Sequence, residues 1–188
     1  ITNNPDDIFK DKNINLIVEL IGGDHIALEM INKAIDKKIN IVTANKLVMS
    51  KYGHELLSQS KNNGVLLLYE ASVGAGIPII GPLYHSLIAN NITRINAIIN
   101  GTTNYILSNM SSGTQTFEDA LKQAQHLGYA ESDPTSDIEG IDATYKLSIL
   151  ASIVLNNKIT EKNIYREGIT KLSAVDFKYA KDLGYTIK

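Results

Sequence analysis

The first 72 residues alternate between short apolar runs and helical patterns, and this alternation constrains the fold more than any other feature of the chain. "INLIVELIGG", Ile14 to Gly23, is a near-continuous apolar run closed by two glycines. Its length and β-branched content predict a buried strand. In "DHIALEMINKAIDKK", residues Ile26, Met30, Ala34 and Ile35 recur at helical spacing, and Asp24 stands where it can cap the helix. "INIVTANK" reads as a second short strand, "LVMSKYGHELLSQSKNNG" as a helix closed by Gly64, and "VLLLYEAS" as a third buried strand. A β-α-β-α-β order predicts a parallel sheet of the nucleotide-binding kind.

Beyond Ser72 the character changes, and a domain boundary is expected there, giving 1–72 and 73–188. "VGAGIPIIGPL" is a turn punctuated by glycine and proline. "ITRINAIIN" reads as a strand, followed by "GTTNYILSNM", a turn into a helix. "TFEDALKQAQHLGYA" reads as a helix with Thr116 as N-cap and Gly128 as its C-terminal stop. A last helical pattern runs to about Leu155; "YREGITKLS" reads as a strand, and "AVDFKYAKDLGYTIK" as a short helix leading into a final strand.

Composition excludes several classes. The chain has 188 residues, 44% of them hydrophobic, enough for one sizeable core or two small ones. A formal net charge of −2 gives no electrostatic reason to expect nucleic acid as a partner. Cysteine is absent, which excludes disulfides and thiolate metal sites and fits a reducing compartment. No apolar stretch approaches the roughly 20 residues needed to span a bilayer, so no membrane is expected. The chain begins at Ile1 rather than Met, as an internal fragment would, and its polar opening is not a signal peptide.

Several stretches carry candidate chemistry. "GAGIPI" departs from the dinucleotide glycine pattern, because Ile79 stands at the third glycine position. It reads either as a turn whose exposed carbonyls hold a hard cation or as a tight turn without a ligand. Lys46 closes "VTANK" at the C-terminal edge of a strand, where open α/β sheets bind ligands. It meets a phosphate or carboxylate there, or is simply solvated. The histidines His25, His54, His85 and His126 are scattered and read as ordinary surface or boundary residues. "NGTTN", Asn100 to Asn104, closes a strand and opens a helix capped by Thr102 or Thr103. Its free amides suit an anion such as a carboxylate, and a plain cap is the equal alternative.

The acidic stretch "AESDPTSDIEGIDATYK" is the most specific. Ser136 and Glu139 fit a capping box for a helix starting near Asp137. That does not account for Asp142 and Lys146, which lie four apart and so share one helical face. The turns after them are apolar nearly all round, so a charged pair enters a core. Such a pair is costly unless it is well partnered or used. Either it is structural, or an ammonium beside carboxylates donates a proton to a developing alkoxide while the carboxylates grip a substrate ammonium.

Taken together, "VELIGG", "VTANK", "YEASVGAGIPII", "INGTTNYIL", "LGYAESDPTSDIEGIDATYKL" and the later "GI…LGYTIK" resemble the homoserine dehydrogenase family in order, from about Ile14 to the C-terminus. The resemblance implies an α/β chain: the C-terminal part of a Rossmann-like parallel sheet domain, followed by an α+β substrate and dimerisation domain. It implies interconversion of L-aspartate 4-semialdehyde and L-homoserine with NADP or NAD, on the route to threonine, methionine and isoleucine. Lys146 then corresponds to the proton donor. Lys46 corresponds to the second functional lysine, near nicotinamide and substrate. Glu131 and Asp142 correspond to homoserine-binding residues, with Asp137, Tyr129, Gly101 and Thr102 nearby. Ile21 and Gly22 fall at the cofactor-facing strand end. The backbone carbonyls of Glu70, Val73, Ala75 and Ile77 match a sodium or similar monovalent-cation site. A small-molecule substrate, a homodimer and a cytoplasmic location are implied as well.

The family's opening strand, G-x-G-x-x-G turn and helix are not in this sequence, nor is its C-terminal glycine-rich segment. The isolated chain is therefore expected to be inactive and to bind NAD(P)H weakly or not at all. Two other readings stand beside this one: a non-catalytic substrate-binding and dimerisation module, and a dehydrogenase for a related amino-acid semialdehyde.

Overall fold

A computed structural model describes residues 1–113 and 115–188. The chain divides into two compact units, residues 1–92 with 145–163 and residues 93–144 with 164–188.

The first unit holds α1 (Pro5–Lys10), β1 (Leu16–Glu19), α2 (His25–Asp36), β2 (Asn40–Thr43), α3 (Lys46–Asn63), β3 (Leu67–Leu68) and α4 (Ile80–His85). The strands form one parallel sheet in the order β1-β2-β3, as the alternating pattern predicts. Crossover helices α2 and α3 cover one face. Ile17, Ile41 and Leu67 pair in register, and Ile41 and Leu67 are buried. The neighbouring row, Val18, Val42 and Leu68, lies on the other face.

On that second face the sequence expectation needs correction. β1 and β3 are buried on one side only, with Leu16, Val18, Leu66 and Leu68 about half exposed or more. An apolar run reports that both faces are suited to burial; it does not supply the layer that buries the second. The buried stripe of α2 is also rotated from the expected one. Ala27, Ile31, Ala34 and Ile35 are buried, and Ile26 is exposed. Asp24 precedes α2 without a side-chain capping bond, because its carboxylate pairs with Lys51 at 2.7 Å. Gly64 closes α3 with φ +69, as expected.

The second unit contains α5 (Gly101–Ser111), α6 (Phe117–His126), α7 (Thr135–Ile138) and α9 (Ala174–Asp182). The division between the units falls inside α8 (Ile141–Leu155). The core of the second unit gathers Ile106, Leu107 and Met110 from α5, Ala120 and Ala124 from α6, and Phe177 from α9. Thr116 caps α6 through a bond from the Asp119 amide, and Gly128 follows with φ +77, both as read from the sequence. Three expected strands do not form among the described residues: "ITRINAIIN", "YREGITKLS" and the final "GYTIK". Alternating apolar residues make a strand only where a neighbour pairs the backbone. In "GITKLS" the Ile169 amide donates to the Ile138 carbonyl at 2.9 Å, which anchors the segment without making a ladder.

Candidate active site

At the C-terminal edge of the sheet, Lys46 is the first residue of α3 and is half-buried. Asn45 caps this helix by accepting from the Val48 amide at 3.1 Å. Its Nδ2 donates to the carbonyls of Ile21 at 3.0 Å and Gly23 at 2.7 Å. One side chain thus ties the turn after β1 to the helix entry carrying Lys46. Gly22 has open space where a Cβ would stand, and Gly23 has φ +80. An exposed glycine turn beside a helix N-terminus fits the approach of a dinucleotide.

The turn after β3 begins with a 3₁₀ segment, Glu70–Ser72. Gly74 and Ala75 follow with φ +80 and +49, and a left-handed alanine is strained. Among the carbonyls expected to face a cation, that of Glu70 accepts from the Val73 amide at 3.3 Å. The Glu70 carboxylate has a role that sequence reading missed. It accepts from the amides of Ile79 (2.6 Å), Ile80 (2.8 Å) and Gly81 (2.7 Å), and so caps α4. Burial pushes its pKa up, but the three amides outweigh that and hold it below the ordinary carboxyl range. A depressed folded-state pKa stabilises above the unfolded value of 4.5 and is lost as pH falls through the folded value. Glu70→Gln is therefore expected to lower stability at neutral pH and to flatten its fall in acid. Urea midpoints measured from neutrality down to about pH 3 check this.

In the second unit the acidic stretch folds differently from the capping box expected. Ser136 and Glu139 make no such box, since α7 starts after Pro134 and ends at Glu139. Gly140, with φ +74, then separates α7 from α8. Asp133 instead accepts from the Thr135 hydroxyl (2.6 Å) and amide (3.1 Å), which secures the turn. Asp137 and Asp142 converge on Asn100, whose Nδ2 donates to them at 2.7 and 2.8 Å. Asn100 and Asp142 are 7% and 4% exposed, so the bond between them is shielded from water. Asn100 Oδ1 also accepts from the Thr103 amide at 2.8 Å. Asn100 is therefore the cap of α5, in place of Thr102 or Thr103, and it joins the two aspartates. Asparagine's strong cap preference just before "GTT" was the signal available in the sequence.

Gly101, Thr102, Tyr129 and Glu131 belong to the same unit as Asn100. Gly101 opens α5 with open space at its Cβ position. The Thr102 hydroxyl donates to the Tyr129 carbonyl at 2.6 Å. The Tyr129 ring lies 4.9 Å from that of Tyr105, and Glu131 is exposed. Lys146 is half-buried in α8, four residues after Asp142, and is counted with the first unit. Tyr129, Gly101, Thr102, Asp137, Asp142 and Asn100 thus gather in the second unit, while Lys46 gathers with Ile21 and Gly22 in the first. All four histidines are exposed, and no group of three or more His, Asp or Glu among the described residues is placed to hold a metal. A cleft of about 550 Å³ in the first unit, between side chains such as Met49, His54, Tyr84 and Ile153, includes none of the predicted site residues.

A parallel sheet with helix-covered crossovers and a lysine at its C-terminal edge is a Rossmann-like α/β arrangement, and a family model described as "Homoserine dehydrogenase, NAD binding domain" matches residues 1–70. A second model, "Homoserine dehydrogenase", matches residues 78–188. The chain belongs to the homoserine dehydrogenase family. It is 47% identical to a homoserine dehydrogenase of Synechocystis over all of its 188 residues, which are 43% of that relative's length. The crystal structure of a homoserine dehydrogenase from Thiobacillus denitrificans superposes on the whole chain with a TM-score of 0.95 at 48% identity, and the chain covers 43% of it. A hyperthermophilic archaeal homoserine dehydrogenase in complex with NADPH matches 92% of the chain with a TM-score of 0.79 at 35% identity, 53% of that structure being covered. No helix among the described residues is long and apolar enough to cross a membrane.

Proposed function

We propose that this chain is part of an enzyme that interconverts L-aspartate 4-semialdehyde and L-homoserine with NADPH or NADH, in the biosynthesis of threonine, methionine and isoleucine. The observation carrying the reading is its identity of 47% to a homoserine dehydrogenase along its entire length. Residues 1–72 serve as the remainder of the cofactor domain, and 73–188 as the substrate and dimerisation domain. Ile21, Gly22 and Lys46 hold the cofactor. The nicotinamide, when bound, supplies the hydride. Lys146 gives a proton to the aldehyde oxygen as it gains negative charge. Asp142 and Glu131, with Asp137, hold the substrate ammonium. The amides at Gly101 and Thr102, at the N-terminus of α5, suit its carboxylate. Tyr129 lies beside them on Thr102. Sodium, a hard cation, suits the carbonyl oxygens of Glu70, Val73, Ala75 and Ile77. A cytoplasmic location fits a reductive biosynthetic step.

The test is NADPH oxidation by the whole polypeptide that carries this chain, with aspartate semialdehyde as substrate. Turnover is expected there and not with the 188 residues alone. Absence of turnover by the whole polypeptide, with homoserine binding retained, would favour a non-catalytic module. Faster reduction of another amino-acid semialdehyde would reassign the substrate. A homodimer is also expected, and sedimentation of the whole polypeptide showing only monomer would overturn it.

A further inference from the structure

The end of β1 carries a carboxylate that the proposed reaction does not use. Glu19 is 4% exposed. Its Oε1 accepts from the Ile21 amide at 2.6 Å, and its Oε2 accepts from the Thr43 hydroxyl at 2.5 Å. The two residues face each other in the parallel ladder, as the last pair of β1 and β2. The Thr43 oxygen in turn accepts from the Asn45 amide at 2.9 Å. Asn45 closes the ring by donating from its side chain to the Ile21 carbonyl at 3.0 Å. Four hydrogen bonds thus run from Glu19 to the turn after β1, across to Asn45, and back through Thr43. The next residue is Lys46.

A buried carboxylate is costly unless each oxygen finds a donor, and here each does. Its two acceptor oxygens fasten two turns that lie at the ligand-binding edge of the sheet. We infer that Glu19 is a positioning residue: through Thr43 and Asn45 it fixes the Ile21–Gly23 turn and the helix entry that presents Lys46. The inference rests on the functional role proposed above for Lys46.

The test uses the whole polypeptide, with Glu19→Gln, Thr43→Val and Thr43→Ser, each alone and combined with Lys46→Ala. Glu19→Gln leaves the carboxylate's shape but not its two acceptor oxygens. Thr43→Val removes the hydroxyl at similar volume, and Thr43→Ser keeps it. The first two are expected to lower kcat/KM by about tenfold or more, as a small misplacement of a functional group does, while Thr43→Ser remains within about twofold. In the Lys46→Ala background the same changes should cost less than about twofold further, because the group they position is gone. The full loss persisting in that background would reduce the ring to a structural device, and wild-type rates in Thr43→Val would overturn the inference outright. Should Glu19→Gln fail to fold, the Thr43 pair carries the same comparison. If Lys46→Ala itself leaves turnover unchanged, the role of Lys46 fails separately. NADPH fluorescence titration of Thr43→Val then decides: about tenfold weaker binding retains the ring as the fastening of the cofactor-side turn, and unchanged binding overturns it.

Discussion

Replacing Lys146 with alanine in the whole polypeptide is expected to lower turnover by about 10²–10⁴-fold, the range that a positioned proton donor contributes. The loss should fall on kcat more than on KM for the semialdehyde, because the proton matters as charge develops on oxygen rather than when substrate binds. Folding should survive, since Lys146 is half-buried in the middle of a 15-residue helix and alanine is a good helix former. Lys146→Arg tests the same point differently. It keeps a positive charge but holds its proton too tightly to give it up, so its turnover should also be low. Rates near wild type in either variant, with a normal melting curve, would remove Lys146 from the chemistry.

The second large effect is expected at Asn100. Its side chain caps α5, a contribution of about 1 kcal/mol. It also donates to two carboxylates, where hydrogen bonds to charged groups are worth about 1.5–3 kcal/mol each. These values do not add, because the three bonds share one amide, so Asn100→Ala is expected to destabilise by about 3 kcal/mol. Asn100→Asp separates the two contributions. Aspartate caps a helix as well as asparagine does, yet it sets a third carboxylate against Asp137 and Asp142. If the aspartate contacts matter, Asn100→Asp should be at least as unstable as Asn100→Ala and should bind homoserine more weakly. Recovery to wild-type stability in Asn100→Asp would show that only the cap counts.

The sequence discloses some of this arrangement and conceals the rest for physical reasons. The β-α-β-α-β order was legible because each element is read from its own residues, such as the apolar runs and Gly64 at a helix end, and the start of α6 at Thr116 was legible in the same way. The three expected strands of the second unit were not, because a strand depends on a partner whose position no local pattern encodes. The acidic stretch was legible as a cluster but not as a geometry. Ser136 and Glu139 have the spacing of a capping box, but Pro134 and Gly140 divide the segment into two helices, and the box has no helix to cap. Asn100 lies 37 and 42 residues from Asp137 and Asp142, so no spacing rule could join them. The Glu19 ring joins residues 24 apart, across a crossover helix, for the same reason.

The half-covered sheet has a practical consequence. Val18 and Leu68 belong to one row across the strands, with Leu16 and Leu66 also exposed, and β1 stands at the edge of the sheet among the described residues. A greasy β surface next to an open edge is a template for adhesion between molecules. Purified as 188 residues, the chain is expected to cluster through this surface. Its apparent size in solution would then measure stickiness rather than quaternary design. Placing a lysine at Val18 should disperse such clusters, and the whole polypeptide is the material in which subunit assembly can be read.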